Sequence, residues 1–406
     1  MVSYPEARRI LIEAAEARAS AVPLLHEKIA LEEAAGRVLA ETLLADRDAP
    51  PFDRATRDGF AVRSADVAAV PATLLLAGEV RAGGQFAGDV ARGQCVQIMT
   101  GAPVPSGADA VVMIEHTAPA GDSVVIRRSV AAGENVVPRS KEARCGDEIL
   151  AAGIRFGYAE MSIAAQFGHA HVSVFLRPRV AIISTGDEIV PVSAAPGPFQ
   201  IRNSNSVSLA AQVALAGGHA VPFPPVEDDA GKLRQCIEAA LAAEAVVISG
   251  GVSAGKYDLV EGVLSELKAV TLFDGVAIRP GRPVMFAMCH EKPVLGLPGN
   301  PVSTMVTFEL FGVPLVDVLS GAPPRPLPLV NARLRHAVRQ KAALTHFLPA
   351  ELSRREGEAE VAELTWQGSG DVAALARANC FLVIPENKLE YAAGDWVAVL
   401  PRRDRL

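Results

Sequence analysis

Three short stretches of this chain carry the residue types from which a phosphate site is built. Ser184-Thr185-Gly186-Asp187-Glu188 follows one apolar run, and Leu297-Pro298-Gly299-Asn300-Pro301 follows another. Between them in sequence lies Ser249-Gly250-Gly251-Val252-Ser253-Ala254-Gly255-Lys256-Tyr257-Asp258. Glycine lets backbone N–H groups approach a ligand closely. Mg2+ takes one or two carboxylates and completes its shell with phosphate oxygens and water. Gathered at one edge, these loops would seat a phosphate-bearing ligand and a hard divalent cation. In the last of them Asn300 suits an N-cap and Pro301 the first helical turn. The helix that follows would then present unpaired N–H groups and a partial positive charge to an anion.

Basic residues held by prolines form a second kind of candidate. Arg279-Pro-Gly-Arg282-Pro is a basic turn, and Arg139, Lys141 and Arg144 precede Gly146-Asp147. In an acidic chain, fixed guanidiniums suit phosphate or another oxyanion; for Lys141 a solvated charge is the simpler reading. Thr100-Gly-Ala-Pro-Val-Pro follows the run VQIM, where Gly and Pro turning the chain is the plain alternative. Gly250 to Lys256 also spells GxxxxGK, but Tyr257 stands where a P-loop needs Ser or Thr for Mg2+, and no Walker-B-like aspartate follows an apolar strand. His169-Ala-His171 would place both imidazoles on one strand face; without a third ligand nearby, packed or solvated histidines are favoured. The five cysteines include no close pair, which excludes a CxxC module and fits a reducing compartment.

The elements that must position these residues can be read from periodicity. From Arg179, strand and helix patterns alternate: RVAIIST, SVSLAAQVALAGG, AVPFPPV, DDAGKLRQCIEAALAAE, AVVISGG and DLVEGVLSELK, then two β runs before the Asn300 turn. Such alternation predicts βαβ units in a doubly wound parallel sheet, whose ligands sit beyond the C-terminal strand ends. The fold class is α/β and multidomain. Residues 1–45 and 148–178 form a mixed domain I, with helices over about 5–20 and 157–166 and a short helix or helix-plus-strand over 31–44. Residues 46–147, rich in short Val/Ile runs between Gly and Pro, form a β-rich domain II. Residues 179–322 form the ligand-binding α/β domain III. After the Pro-rich APPRPLP, residues 323–406 form a small β domain IV with one short helix over 371–378.

At 406 residues, half of them hydrophobic, several globular domains are expected. The net charge of −7 argues against nucleic acid as a partner. No uninterrupted apolar run reads as long enough to span a bilayer, and the charged N-terminus lacks a signal-peptide hydrophobic region. A cytoplasmic protein without membrane contact is expected.

Taken in order, PPFDRATRDGFAV, IMTGAPVPSGADAVVMIE, STGDEIV, SGGVSAGKYD, AIRPGRPV, GLPGNPVS and GSGDVAALARAN resemble the molybdopterin molybdenumtransferases, the family of MoeA and the gephyrin E domain. The resemblance spans nearly the whole chain. It implies a homodimer of four-domain subunits with a β barrel as domain IV, and insertion of molybdate into adenylylated molybdopterin with Mg2+ and release of AMP. A molybdopterin adenylyltransferase is the implied transient partner. By motif, the family's catalytic positions fall on Asp58, Thr100, Glu188 and Asp258. Asp187, Glu188 and Asp258 would organise Mg2+. Ser184, Thr185, Gly186, Asp228, Gly250, Gly251, Ser253, Gly255, Pro298, Gly299, Asn300 and Pro301 would bind substrate, with Arg279, Arg282, Arg139 and Arg144. The implied cleft joins domain III of one subunit to domain II of the other, which brings in Asp58, Thr100, Arg139 and Arg144. The chain departs from the family at Arg54-Ala-Thr-Arg57, Phe60, Lys256, and at Arg279 and Arg282, where lysines are usual. These departures bear on substrate detail: a divergent paralogue, tungstate in place of molybdate, and a gephyrin-like scaffold are the alternatives, with a P-loop-like nucleotide hydrolase as a further one. No nucleophilic Cys or Ser is expected, Cys145 included.

Overall fold

The computed structural model describes residues 1–252, 259–340, 344–355, 357–388 and 390–405. The chain forms two compact units, one of residues 1–40, 153–157 and 172–406, the other of residues 41–152 and 158–171. The apolar periodicity read from the sequence is realised most fully in the first. Helix α1 (Tyr4–Ala21) is capped by the Ser3 hydroxyl and buries Ala7, Leu11, Ala15 and Arg18 along one stripe. That spacing is the helical period, and one of its four positions is an arginine.

Around it a six-stranded sheet is built from β1 (Arg179–Ser184), β2 (His219–Pro222), β3 (Ala245–Ser249), β4 (Val270–Asp274), β5 (Met285–Cys289) and β6 (Lys292–Leu297). Their order is β2-β1-β3-β6-β5-β4. The four strands β2, β1, β3 and β6 are parallel. β5 runs antiparallel to both β6 and β4. The two β runs near the end of the domain thus extend the parallel sheet as an antiparallel edge, a direction that periodicity alone does not encode. β3 (AVVIS) is buried at every position, as a strand covered on both faces should be.

The connections follow local rules. Helix α2 (Ser204–Ala216) starts at Asn203, whose side chain accepts the Ser206 N–H, and ends at Gly217 in the left-handed region. Helix α3 (Ala230–Ala240) is capped by Asp229, and helix α4 covers Leu259–Glu266. The run AVPFPPV is strand only as far as Pro222, because Pro224 and Pro225 lack ladder N–H groups. Over 31–44 the helix-plus-strand alternative is the one that forms, with a single helical turn at Leu31–Glu33 and a strand at Leu43–Leu44. Val38 and Leu39 make ladder contacts with Arg155 and Val174 instead, which draws the chain into extended form.

Register fixes the functional edge. Ser184 lies opposite Ser249, and Ser249 opposite Leu297, so β1, β3 and β6 end level with one another. Beyond β6 the chain is helical from Pro301 to Leu319, as helix α5 (Pro301–Thr307), a widened turn at Phe308–Gly312, and helix α6 (Val313–Leu319). The widened turn lies where Pro314 removes an N–H and crowds the carbonyl four residues back. With mean hydropathy 1.6 over its most apolar window, this helix is long and apolar enough to cross a bilayer by length and composition alone, although Glu309 and Asp317 interrupt the apolar run. It is 94% buried inside the protein, so it is a core helix, largely apolar because it is covered on all sides. Phe308 and Phe311 on it and Phe286 on β5 are fully buried, each worth about 2 kcal/mol of transfer free energy. Asp317 is also fully buried, and Arg155 and Arg325 pair with it at 3.1 and 2.6 Å.

Residues from Val330 onward form a closed barrel. Its strands are Val330–Leu334, Thr345–Arg355, Glu358–Glu363, Cys380–Ile384 and Trp396–Pro401, and Thr345–Arg355 pairs with Cys380–Ile384 to complete the ring. The short helix Val372–Arg377 is capped by Asp371.

In the second unit a six-stranded sheet contains Gly59–Val62, Ala72–Val80, Gln94–Ile98, Ala110–Met113, Thr117–Ala120 and Ser123–Ile126. The helix Tyr158–Gln166 belongs here too. The His169–His171 pair does not form on a strand face: the strand begins only at His171, and His169 Nε2 lies 2.9 Å from the Leu44 carbonyl.

Candidate functional site

Level strand ends bring two of the three loops, and the described start of the third, to a single cavity of about 400 Å3. Thr185, Gly186 and Glu188 enter it from β1, Gly250 and Gly251 from β3, and Pro298, Gly299, Asn300 and Pro301 from β6. Asp228 completes the set from the loop before α3. Backbone hydrogen bonds lock the loops together: Thr185 N–H donates to Ser249 O at 3.1 Å and Gly250 N–H to Leu297 O at 3.1 Å. Gly250 has φ +96°, and a Cβ there would lie 2.6 Å from the Thr185 carbonyl oxygen. A Cβ on Gly299 would face the Gly250 Cα at 3.5 Å. The clash and the positive φ make glycine necessary at position 250, whereas at position 299 a Cβ would meet only ordinary contact.

Side chains set the polarity of the wall. Thr185 Oγ1 donates to Asp228 at 2.9 Å, and the Asp228 N–H donates to Asp187 Oδ1 at 2.9 Å. Glu188 and Asp228 are the acidic residues lining the cavity, whereas Asp187 is engaged in holding the loop. Ser184 is buried and donates to Asn203 at 3.1 Å, so it positions rather than lines. Among the described residues no three His, Cys, Asp or Glu side chains are gathered as a metal cluster. Glu188 and Asp228 in one wall nevertheless suit Mg2+, which needs only one or two carboxylates when phosphate supplies the rest. Asp258, Ser253 and Gly255 lie outside the described residues.

Sequence reasoning missed Asn205. Its amide donates to Ser249 Oγ and to the Gly299 carbonyl, both at 2.7 Å, tying two loops together. It is 7% exposed, lines the cavity, and its Oδ1 has no partner among the described residues. A buried acceptor left over in a cavity wall suits a ligand N–H or O–H. The signal was available in the Arg202-Asn-Ser-Asn-Ser run that opens α2, where an N-cap asparagine must lie close to the strand end.

A second cavity of about 370 Å3 adjoins the first across Pro298 and Asn300. Arg279 and Arg282 line it, with Trp366, Gly368 and Ser369 from the barrel, and no acidic residue is in its wall among the described residues. Neither guanidinium has an ion-pair or hydrogen-bond partner among the described residues. The N-terminus of α5 differs from expectation. Asn300 is the N-cap residue, but its side chain makes no capping bond. The Val302 N–H donates to Ser369 O at 2.9 Å, so the barrel has taken one of the free amides.

The remaining candidates belong to the second unit. Asp58 accepts from Thr100 N–H at 2.6 Å and Thr100 Oγ1 at 2.8 Å. The Thr100 backbone N–H, then its hydroxyl, holds the Asp58 carboxyl below the ordinary range, so it is an anion at neutral pH. Arg139 pairs with Asp48 at 2.7 Å. Arg144 is exposed, and its backbone N–H donates to Asp147 at 2.8 Å.

Comparison with known proteins covers the chain almost end to end. Residues 2–168 match the family described as MoeA N-terminal region (domain I and II), 181–318 the probable molybdopterin binding domain, and 331–401 the MoeA C-terminal region (domain IV). The chain is 33% identical over 388 residues to a molybdopterin molybdenumtransferase of Bacillus subtilis (strain 168), covering 93% of this chain and 90% of that one. It is 32% identical over 377 residues to one of Staphylococcus aureus (strain N315), covering 92% and 90%. A crystal structure of the molybdopterin biosynthesis moeA protein of Pyrococcus horikoshii OT3 superimposes with a TM-score of 0.82 at 29% identity, over 99% of this chain and 100% of that one.

Proposed function

The chain belongs to the MoeA family, the molybdopterin molybdenumtransferases of molybdenum cofactor biosynthesis, and from that premise we propose a division of labour between its two adjoining cavities. The substrate is adenylylated molybdopterin, and the reaction inserts molybdate into its dithiolene with release of AMP. The observation that carries this reading is the pair of cavities sharing Pro298 and Asn300, one acidic and glycine-lined, the other basic.

In the first cavity the loop amides face the phosphates, and Asn205 Oδ1 accepts from an N–H of the pterin or nucleotide. Glu188 and Asp228 would hold Mg2+ there, which would supply charge neutralisation for the phosphoanhydride. In the second, Arg279 and Arg282 hold the molybdate dianion. Without them, the oxyanion and the electron-rich dithiolene would repel each other. Trp366 and Ser369 close that cavity from the barrel side. No covalent enzyme intermediate is required: charge neutralisation and orientation supply the catalysis.

The enzyme works in the cytoplasm as a homodimer in this proposal, with Asp58 of the partner subunit completing the site and a molybdopterin adenylyltransferase delivering the substrate. The test is AMP release from adenylylated molybdopterin, measured with and without molybdate and Mg2+. Release that depends on both, and that falls in Glu188→Ala, supports the reading. Turnover indifferent to molybdate, or ATP hydrolysis without any pterin, overturns it. Mixed dimers of Asp58→Ala and Glu188→Ala should regain activity; verified mixed dimers that stay inactive would put the whole site in one subunit.

A further inference from the structure

The opposite end of the same sheet holds a different cavity, of about 530 Å3. It lies at the N-terminal ends of the parallel strands, where Arg179 starts β1, His219 starts β2 and Lys292 starts β6. A five-residue strand separates it from the cavities described above by roughly 17 Å, at ~3.3 Å per residue. Its volume falls within the roughly 300–1,000 Å3 of small-molecule sites.

Its charges do not balance. Arg37 pairs with Glu27 at 2.6 Å and Arg179 with Glu244 at 3.0 Å, which uses both acids of the wall. Arg18, Arg177 and Lys292 are left without an ion-pair partner among the described residues. Arg18 is the informative one. It sits on the buried stripe of α1 at 9% exposure, and its Nε has no hydrogen-bond partner among the described residues. Burial of a cation without a counter-charge is costly. Lys292 faces the same deficit: burial, and then the Arg18 charge, push its ammonium pKa down. The remaining wall is apolar, with Leu24, Leu25 and Leu176; Leu25 is 72% exposed and Leu176 39%.

We infer that this cavity binds a small organic dianion with an apolar body, its charges meeting Arg18 and Lys292 and its body lying on Leu24 and Leu176. Both parts are needed. Inorganic phosphate satisfies the cations but leaves the leucines wet, and an uncharged apolar molecule leaves the cations unpaired.

Isothermal titration of the full-length protein at pH 8 with hexyl phosphate and with inorganic phosphate tests this. The expected result is hexyl phosphate binding at least tenfold more tightly than inorganic phosphate. Arg18→Met and Lys292→Met should each weaken it at least tenfold. If Arg18→Met fails to fold, the half-buried Lys292→Met carries the test. No measurable hexyl phosphate binding, or binding indifferent to the replacements at positions 18 and 292, overturns the proposal.

Discussion

At the C-terminal ends of β1, β3 and β6 the chain leaves the sheet through tight glycine turns with Glu188 and Asp228 in the wall. At the other ends of strands in the same sheet it enters through Arg179 and Lys292, with Arg18 on the adjoining helix. The contrast follows from the direction of the helices. Loops after parallel strands run into helix N-termini, whose partial positive charge offsets nearby carboxylates and draws in anions. Loops before the strands follow helix C-termini, where carbonyls accumulate and cations are favoured. Arg325 donates to the Ala216 carbonyl at the end of α2 at 3.0 Å, and Arg179 to the Ala242 carbonyl just beyond α3 at 2.6 Å. Glu188 and Asp228 beside helix N-termini and Arg179 beside a helix C-terminus thus suit the winding, and chemistry is laid over it by single residues such as Asn205, Arg282 and Arg18.

Substitutions at the two ends should break or sharpen that contrast. The largest effect is expected from Glu188→Ala: molybdate-dependent AMP release should fall roughly 10²-fold, the scale of losing one preorganised electrostatic group, with the melting temperature unchanged. Glu244→Gln, a carboxylate at the far end already taken by Arg179, should change turnover less than twofold; an equal fall in both would erase the distinction. Next comes Gly250→Ala. The positive φ and the clash with the Thr185 carbonyl should cost about 1–3 kcal/mol of stability, read from denaturant unfolding, and activity should fall with it. Arg282→Ala should raise KM for molybdate about tenfold, or about 1.4 kcal/mol, with a smaller change in KM for the adenylylated pterin. A change in the pterin KM alone would place the oxyanion elsewhere.

The smallest effect belongs to Lys292→Met. Folding lowers the Lys292 pKa, by burial first and the Arg18 charge second. The unfolded chain therefore holds a proton that the folded one has released between that lowered value and the ordinary lysine range near 10.4. The penalty is complete at neutral pH and fades as pH rises through this window. Replacement should raise stability by less than about 1 kcal/mol after solvent screening, more at pH 7 than above pH 10. A gain that grows with pH would contradict the assignment.

Much of this was readable in the chain because two periodicities, 2 and 3.6, differ so clearly. The alternation from Arg179 onward gave β1, α2, α3 and β3 in place, and level strand ends then made the convergence of Thr185, Gly250 and Gly299 a matter of register. Strand direction was not readable: β5 is an apolar run like its neighbours, and its reversal shows only in the two-residue connection to β6. Arg18 was hidden for another reason, since a charged residue on an amphipathic helix is read as solvent-facing until its neighbours at Ala7, Leu11 and Ala15 show the stripe it belongs to. The basic cavity was half legible. Arg279 and Arg282 announced an oxyanion, but Trp366 and Ser369 reach it only through a barrel lying about 80 residues further on. Asn300 shows the limit of motif reading, because it occupies the cap position without making the cap bond.

The helix from Pro301 to Leu319 has a consequence for how the protein is made. Read in isolation as it leaves the ribosome, this segment has the length and hydropathy of a membrane span. Synthesis runs from the N-terminus at about 5–20 residues per second, so α1 and all six strands of the sheet have emerged before it. The apolar cylinder therefore enters solution with its docking surface already waiting, and gene order keeps a greasy segment from being mistaken for an anchor.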